Sequence, residues 1–272
     1  MDKKTLRRVQ MTQLEIAKEV KRVCDENDIQ YFLTAGSLLG AVRHQGFIPW
    51  DDDLDIGMLV EDYNKFCKIA PNSLSDKYTL QTMETDETYP LTLAKVRKVG
   101  TVYVENKANQ ANKPGIYVDI IPYKDVPDSY EQAEAIAKKA VNIQRVLLMK
   151  CGNRPWMEER GIIWKKRIGY VLYQVAALFV SKKTLIDRYH GLFARHEASN
   201  KVAGDMTYSG NKYLEKSWFK EVIPMQFEDT EFSVCTAYKE YLETVYGDYM
   251  QLPPEDQREN RHQIVEIGFG DE

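Results

Sequence analysis

The stretch FIPWDDDLDIGM, Phe47 to Met58, sets Asp51, Asp52, Asp53 and Asp55 beside Leu54, Ile56 and Met58. A solvated loop can carry acids but has no use for apolar residues in alternation. A calcium-binding EF-hand loop needs Asp at its first, third and fifth positions, Gly at the sixth and Glu at the twelfth. Asp51, Asp53 and Asp55 meet the first demand, but Ile56 holds the sixth position and Asp62 the twelfth, so that reading fails. A helix N-terminus also attracts acids, yet the period of two after Asp53 is that of a strand. Residues two apart on a strand share a face. Asp53 and Asp55 are therefore expected to project together, with Leu54 and Ile56 anchoring the other face and Asp52 pointing outward, away from the pair.

Paired carboxylates raise each other's pKa, and a divalent cation between them removes the conflict. Oxygen ligands without imidazole or thiolate suit Mg²⁺ or Mn²⁺. A phosphoryl-transfer site built this way takes a further carboxylate from a neighbouring strand, and GIYVDIIPY (Gly115 to Tyr123) supplies Asp119 in an otherwise apolar run. Upstream, Ile29 to Thr34 reads as a strand broken at Gly36-Ser37, with a short helix from Leu38 to His44. A glycine at such a turn lets the backbone approach a phosphate, and a following helix N-terminus favours an anion.

The rest of the chain narrows the classes. With 272 residues, 43% hydrophobic, it can bury one large core or two smaller ones. A net charge of −4 argues against a nucleic-acid binder. Cys24, Cys67, Cys151 and Cys235 are widely spaced, with no metal-binding or disulfide pattern, which suits a reducing cytoplasm. MDKKTLRRVQ has no apolar leader core. The longest apolar run, Ile168 to Val180, is too short to span a bilayer, which takes about 20 residues. Its default reading is a buried core helix. The alternative is a helix lying on a membrane surface, because Lys165, Lys166 and Arg167 precede it and Lys182 and Lys183 follow.

An amphipathic helix is expected over 5–26, strands at Asp53–Val60, Tyr78–Met83, Leu91–Val99, Thr101–Glu105 and Ile116–Pro122, and a helix from Glu61 closed by Pro71. The pattern turns helical from about Ser129 to Asn200 and mixed thereafter. The expectation is an α+β fold in three parts: a catalytic core over 1–128, a helical region over 129–204 and a portion over 205–272 that packs back on the core.

Taken together, AGSLLGAVRHQGFIPWDDDLDIGM (Ala35–Met58), AKVRKVGT (Ala94–Thr101), VDIIP (Val118–Pro122) and YGDYMQLPP (Tyr246–Pro254) resemble the LicD family of phosphocholine transferases, a branch of the nucleotidyltransferase superfamily that includes the fukutin-related transferases. The resemblance implies a nucleotidyltransferase-like mixed sheet flanked by helices. It also implies transfer of phosphocholine, or a similar phospho-alcohol, from a CDP-activated donor such as CDP-choline to a hydroxyl of a cell-surface glycan precursor. Teichoic acid or lipopolysaccharide is the type of acceptor, free or lipid-linked, met at the inner face of the membrane. Asp53, Asp55 and Asp119 would bind Mg²⁺ or Mn²⁺, with Asp51 joining them or supporting the loop. Gly36 and Ser37 would contact the donor phosphates, and Arg43, Lys95, Arg97 and His262 would supply positive charge. CMP would leave as the acceptor attacks, with Asp119 or the metal assisting loss of the proton. Trp50, Tyr117, Tyr208 and Trp218 are the aromatic residues considered for a choline cage, while Tyr246 and Pro253–Pro254 are read as structural. Two other classes compete. A D-x-D glycosyltransferase explains the metal but not Gly36-Ser37 or Asp119, and a non-catalytic binding module leaves the intact carboxylates unexplained.

Overall fold

The computed structural model describes residues 1–105, 115–153, 164–194, 196, 199–204, 213–259 and 264–270, with the side chains of 164–167 set aside. His262 and Tyr208 lie outside the described residues.

Asp2 caps helix α1 (Lys3–Glu26) by accepting from the N–H groups of Lys4 and Thr5 at 2.9 and 3.0 Å. Val9, Ile16, Val20 and Val23 recur at helical spacing on this helix and are fully buried. The short strand β1 (Phe32–Leu33) leads into α2 (Ala35–His44), then β2 (Asp55–Leu59) and α3 (Val60–Ser73). Gly36 and Ser37 do not break the chain but form the first turn of α2. Pro71 does not close α3; it sits in the last turn, and Leu74 N–H bonds back to Ala70 O. Strands β3 (Tyr78–Gln81), β4 (Ala94–Lys98), β5 (Val102–Glu105) and β6 (Tyr117–Val126) follow. The core sheet runs β1-β2-β6-β4-β3, and only the β2–β6 pair is parallel.

That mixed sheet has two unlike faces. Ile56, Met58, Val118, Ile120 and Val96 are all at zero exposure on one side, where α1 and α3 pack. Each such side chain contributes roughly 1.5–3 kcal/mol of burial. The other face carries Asp55, Gly57, Asp119 and Lys95 by register. Gly57 is there because Phe32 of β1 lies over it; a Cβ would stand 2.4 Å from that ring.

Helices α4 (Tyr130–Lys150), α5 (Trp164–Phe179) and α6 (Lys182–Gly191) make the expected helical middle and gather a second apolar cluster with Tyr89 and Val126. The default reading of Ile168–Val180 as core is overturned. Ala177 is buried, but Leu178 and Phe179 are 74% and 83% exposed; among the described residues it is the side through Tyr173, Ala176 and Ala177 that packs into the helical cluster.

Strand β7 (Lys201–Ala203) pairs with the far end of β6 and with β8 (Leu214–Glu215). The hairpin β9 (Val222–Phe227) to β10 (Thr230–Cys235) and helix α7 (Tyr238–Tyr246) join the core cluster. Strand β11 (Ile264–Gly268) pairs with β5. The architecture is the α+β mixed sheet with flanking helices that the sequence leads one to expect.

Candidate active site

The site grows from the parallel β2–β6 register, which sets Asp55 directly beside Asp119. Leu54 O accepts from Asp119 N–H at 3.0 Å, and Ser37 Oγ accepts from Asp55 N–H at 2.8 Å. Ser37 is buried and works as a strut between α2 and β2. In front of β2 opens a cleft of about 590 Å³ lined by Gly36, Arg43, Trp50, Asp51, Asp53 and Asp55 on one side. Its other wall is Tyr246, Asp248, Tyr249, Gln251, Leu252, Pro253 and Pro254. Tyr246 and the proline pair, read from sequence as structural, thus border the cleft itself.

Asp53 precedes β2 rather than lying on it, yet it lines the cleft with Asp55 and Asp51. Burial pushes the Asp55 carboxyl well above the usual carboxylate range; the charges of Asp53, Asp119 and Asp51 add to the shift, and Lys95 opposes it. The antiparallel β4–β6 register places Lys95 opposite Asp119, and Lys95 Nζ stands 2.7 Å from Asp119 Oδ1. This oxygen is nonetheless buried without an aligned hydrogen bond, so its contact is one of charge rather than directed bonding. Lys95 Nζ also lies 3.2 Å from the centroid of the Tyr117 ring.

Several expected roles change here. Asp52 points inward: it is 1% exposed and accepts from Tyr103 Oη at 3.1 Å. Arg97 is 2% exposed and donates to Gln81 Oε1 and Gly115 O at 2.7 and 2.8 Å. It braces the sheet instead of facing the cleft, and neither Lys95 nor Asp119 lines that cleft. Tyr117 is buried, already has the Lys95 and Arg97 cations over its ring and packs against Tyr103, so it is engaged within the sheet and not offered to a ligand. Trp218 packs on the core. Of the expected cage residues among those described, Trp50 lines the cleft and Tyr117 and Trp218 do not; Tyr246 and Tyr249 join it there. Arg43 does line the cleft and donates to Tyr249 O and Gln251 O at 2.9 and 3.3 Å, clamping the far wall.

The sequence reading missed the groups that position the acidic loop. Gln10 Nε2 donates to Asp51 O at 2.8 Å and Ile48 O at 3.3 Å, and Gln13 Nε2 donates to Asp52 O at 2.8 Å. Two buried glutamines on the apolar side of α1, three residues apart, were the available signal.

The donors fit a hard divalent cation. They are all carboxylates, and the charges of Asp53, Asp119 and Asp51 crowd the Asp55 carboxyl. At Gly36 a Cβ would stand 2.7 Å from Asp51 Oδ2, so only glycine leaves that carboxylate its place. Among the described residues the acids form a ledge rather than a closed cage: no three ligating groups converge on one point. The N–H groups of Gly36 and Ser37 sit in the first turn of α2, where no intrahelical acceptor exists, and there they favour an anion.

A family model described as LicD/FKTN/FKRP, nucleotidyltransferase domain, matches residues 28–148. The chain is 30% identical over 263 residues to the lipopolysaccharide cholinephosphotransferase LicD of Haemophilus influenzae, covering 96% of this chain and 97% of that one. Over 48 residues it is 48% identical to the ribitol 5-phosphate transferase FKRP of mouse and human, which is 18% of this chain and 10% of either relative. An uncharacterized protein of Rickettsia typhi is 49% identical over 57 residues, 21% of this chain and 18% of its own.

Proposed function

The chain belongs to the LicD family, and from that premise we propose that it transfers phosphocholine from CDP-choline to a hydroxyl of a surface-glycan precursor such as lipopolysaccharide or teichoic acid. The observation that carries this reading is the acidic ledge of Asp51, Asp53 and Asp55 facing a cleft beneath the α2 N-terminus, with Asp119 in register behind it. Asp53, Asp55 and Asp119 are the proposed holders of Mg²⁺ or Mn²⁺, with Asp51 supporting them. Bound there, the ion would supply positive charge to the donor diphosphate and to the departing CMP.

The chain's own groups do the rest. The first turn of α2, bare of side chain at Gly36, receives phosphate oxygens through backbone N–H groups. Arg43 adds positive charge from the side and holds the far wall. The acceptor hydroxyl attacks the distal phosphorus in line, the P–O bond to CMP breaks, and the hydroxyl proton passes to the carboxylate ledge. Trp50, Tyr246 and Tyr249 line the cleft, and aromatic rings are the groups that hold a quaternary ammonium. The Trp50 ring already has the Arg258 guanidinium 5.6 Å from its centroid.

The test is CMP release from CDP-choline with Mg²⁺ and a lipopolysaccharide acceptor. Asp55→Asn is expected to cut the rate by about 10²–10³-fold while circular dichroism shows a folded chain. Full activity in both Asp53→Asn and Asp55→Asn would remove the site assignment. Turnover of UDP-sugars in place of CDP-choline would make the protein a glycosyltransferase.

A further inference from the structure

Among the described residues, helix α5 presents an exposed apolar face, and its surroundings indicate what covers it. At 100° per residue, Ile168, Val171, Leu172, Val175, Leu178 and Phe179 fall within an arc of roughly 120°, and all six are exposed. The opposite side, through Tyr173, Ala176, Ala177 and Val180, packs into the helical cluster. Single exposed apolar residues are ordinary, but a continuous stripe marks an interaction surface. Leu172 also borders an apolar groove of about 340 Å³ walled by Ile143, Val146, Val180 and Leu185, with Arg188 among its lining residues.

The charges choose the partner. From Trp164 to Ile186 the sequence holds Lys165, Lys166 and Arg167 before the stripe, Lys182 and Lys183 after it, and no acid, in a chain of net charge −4. Lys182 is turned inward to Asp86 O, while Lys183 is exposed. An apolar stripe with cations at its ends complements an anionic lipid surface, where the apolar side chains enter the acyl boundary and the cations meet headgroups. A second copy of the same face would set cations against cations. Among the described residues no helix is long and apolar enough to cross a membrane.

We propose that α5 seats the protein peripherally on an anionic phospholipid leaflet, lying in the interface plane with its stripe toward the acyl chains. Vesicle binding requires no donor or acceptor, so this proposal stands or falls separately from phosphocholine transfer. Where both hold, the enzyme is kept at the surface on which lipid-linked glycans are presented.

The full chain is to be sedimented with vesicles of phosphatidylglycerol mixed with phosphatidylcholine, and with phosphatidylcholine alone. Binding is expected on the anionic vesicles and weak or none on the neutral ones. Leu178→Ser with Phe179→Ser, at positions exposed enough to leave the fold intact, should weaken binding by about tenfold or more. Lys165→Gln, Lys166→Gln and Arg167→Gln together should weaken it by about fivefold per charge and flatten its salt dependence. Absence of wild-type binding to anionic vesicles at low salt would overturn the proposal. So would binding that the Leu178/Phe179 pair does not affect. A dimer in light scattering that this same pair dissolves would assign the face to a second copy and likewise overturn it.

Discussion

Ala35 lines the cleft with φ at +47°, in the left-handed region that costs an L-residue about 1–2 kcal/mol. The conformation is held because its N–H donates to Tyr241 Oη at 3.1 Å, and Tyr241 also bonds Thr34 Oγ1 at 2.9 Å. The next residue, Gly36, has no room for a side chain beside Asp51. Two neighbouring substitutions should therefore separate strain from function. Ala35→Gly relieves the strain but loosens the unfolded chain, for a net gain of about 0.5 kcal/mol. Gly36→Ala displaces the Asp51 carboxylate and should lower the proposed CMP release with little change in Tm. Calorimetry and a CMP assay on both variants check this, and a fall in Tm for Ala35→Gly would remove the strain reading. At this scale the sequence singled out Asp53, Asp55 and Asp119 because an acid among β-formers has few explanations; Asp53 and Asp55 line the cleft, while Asp119 stands beside Asp55 outside its lining. It misplaced Asp52 because alternation holds only on a strand, and β2 begins at Asp55; the three residues before it turn Asp52 under Tyr103.

At the scale of elements, the site depends on two registers that no local pattern reveals. The parallel β2–β6 pairing joins Asp55 to Asp119 across 64 residues of chain, and the antiparallel β4–β6 pairing brings Lys95 to the same place. Lys95 and Arg97, two apart on β4, share a face as a strand requires, but only the pairing shows that one meets a carboxylate and the other meets Gln81 and a carbonyl. Lys95 and Asp119 are both largely buried, with side chains 7% and 17% exposed. Breaking such a pair from one side leaves a buried charge alone and costs about 3 kcal/mol. Lys95→Met should show that loss in urea unfolding. Adding Asp119→Asn should recover much of it, giving a coupling of about 1–3 kcal/mol in the double-mutant cycle. Strict additivity of the two changes would show that the pair is not coupled. Helix α5 teaches a related lesson. Its period of 3.6 is the same whether the apolar side meets a core or a bilayer, so the sequence showed a helix and left its partner open.

At the scale of the whole molecule, distant segments are tied together around the cleft, and Glu228 is where three of them meet. It sits at the two-residue turn between β9 and β10 with φ at +57°. Its carboxylate accepts from Arg7 of α1 at 2.9 and 2.5 Å and from Phe47 N–H at 3.1 Å, and its own N–H donates to Gln45 O at 2.7 Å. The start of the chain, the entry to the acidic loop and the C-terminal hairpin are thus joined by one side chain that no motif marks. The Arg7 hydrogen bond is the main reason the Glu228 carboxyl is held below its ordinary range; burial opposes it, and the Phe47 N–H adds to the lowering. A carboxylate depressed in the folded state stabilises at pH values above its unfolded pKa, about 4.3, and that contribution is lost as the pH falls through the folded value. Arg7 is half exposed, so solvent screens the pair and Glu228→Gln should cost only about 1 kcal/mol at pH 7. Below about pH 4 the wild-type side chain also begins to protonate, and the gap between the two proteins should narrow. Urea midpoints measured for both proteins at pH 7 and pH 3 decide it. A difference of equal size at the two pH values would mean that Glu228 acts through the shape of the turn and not through its charge.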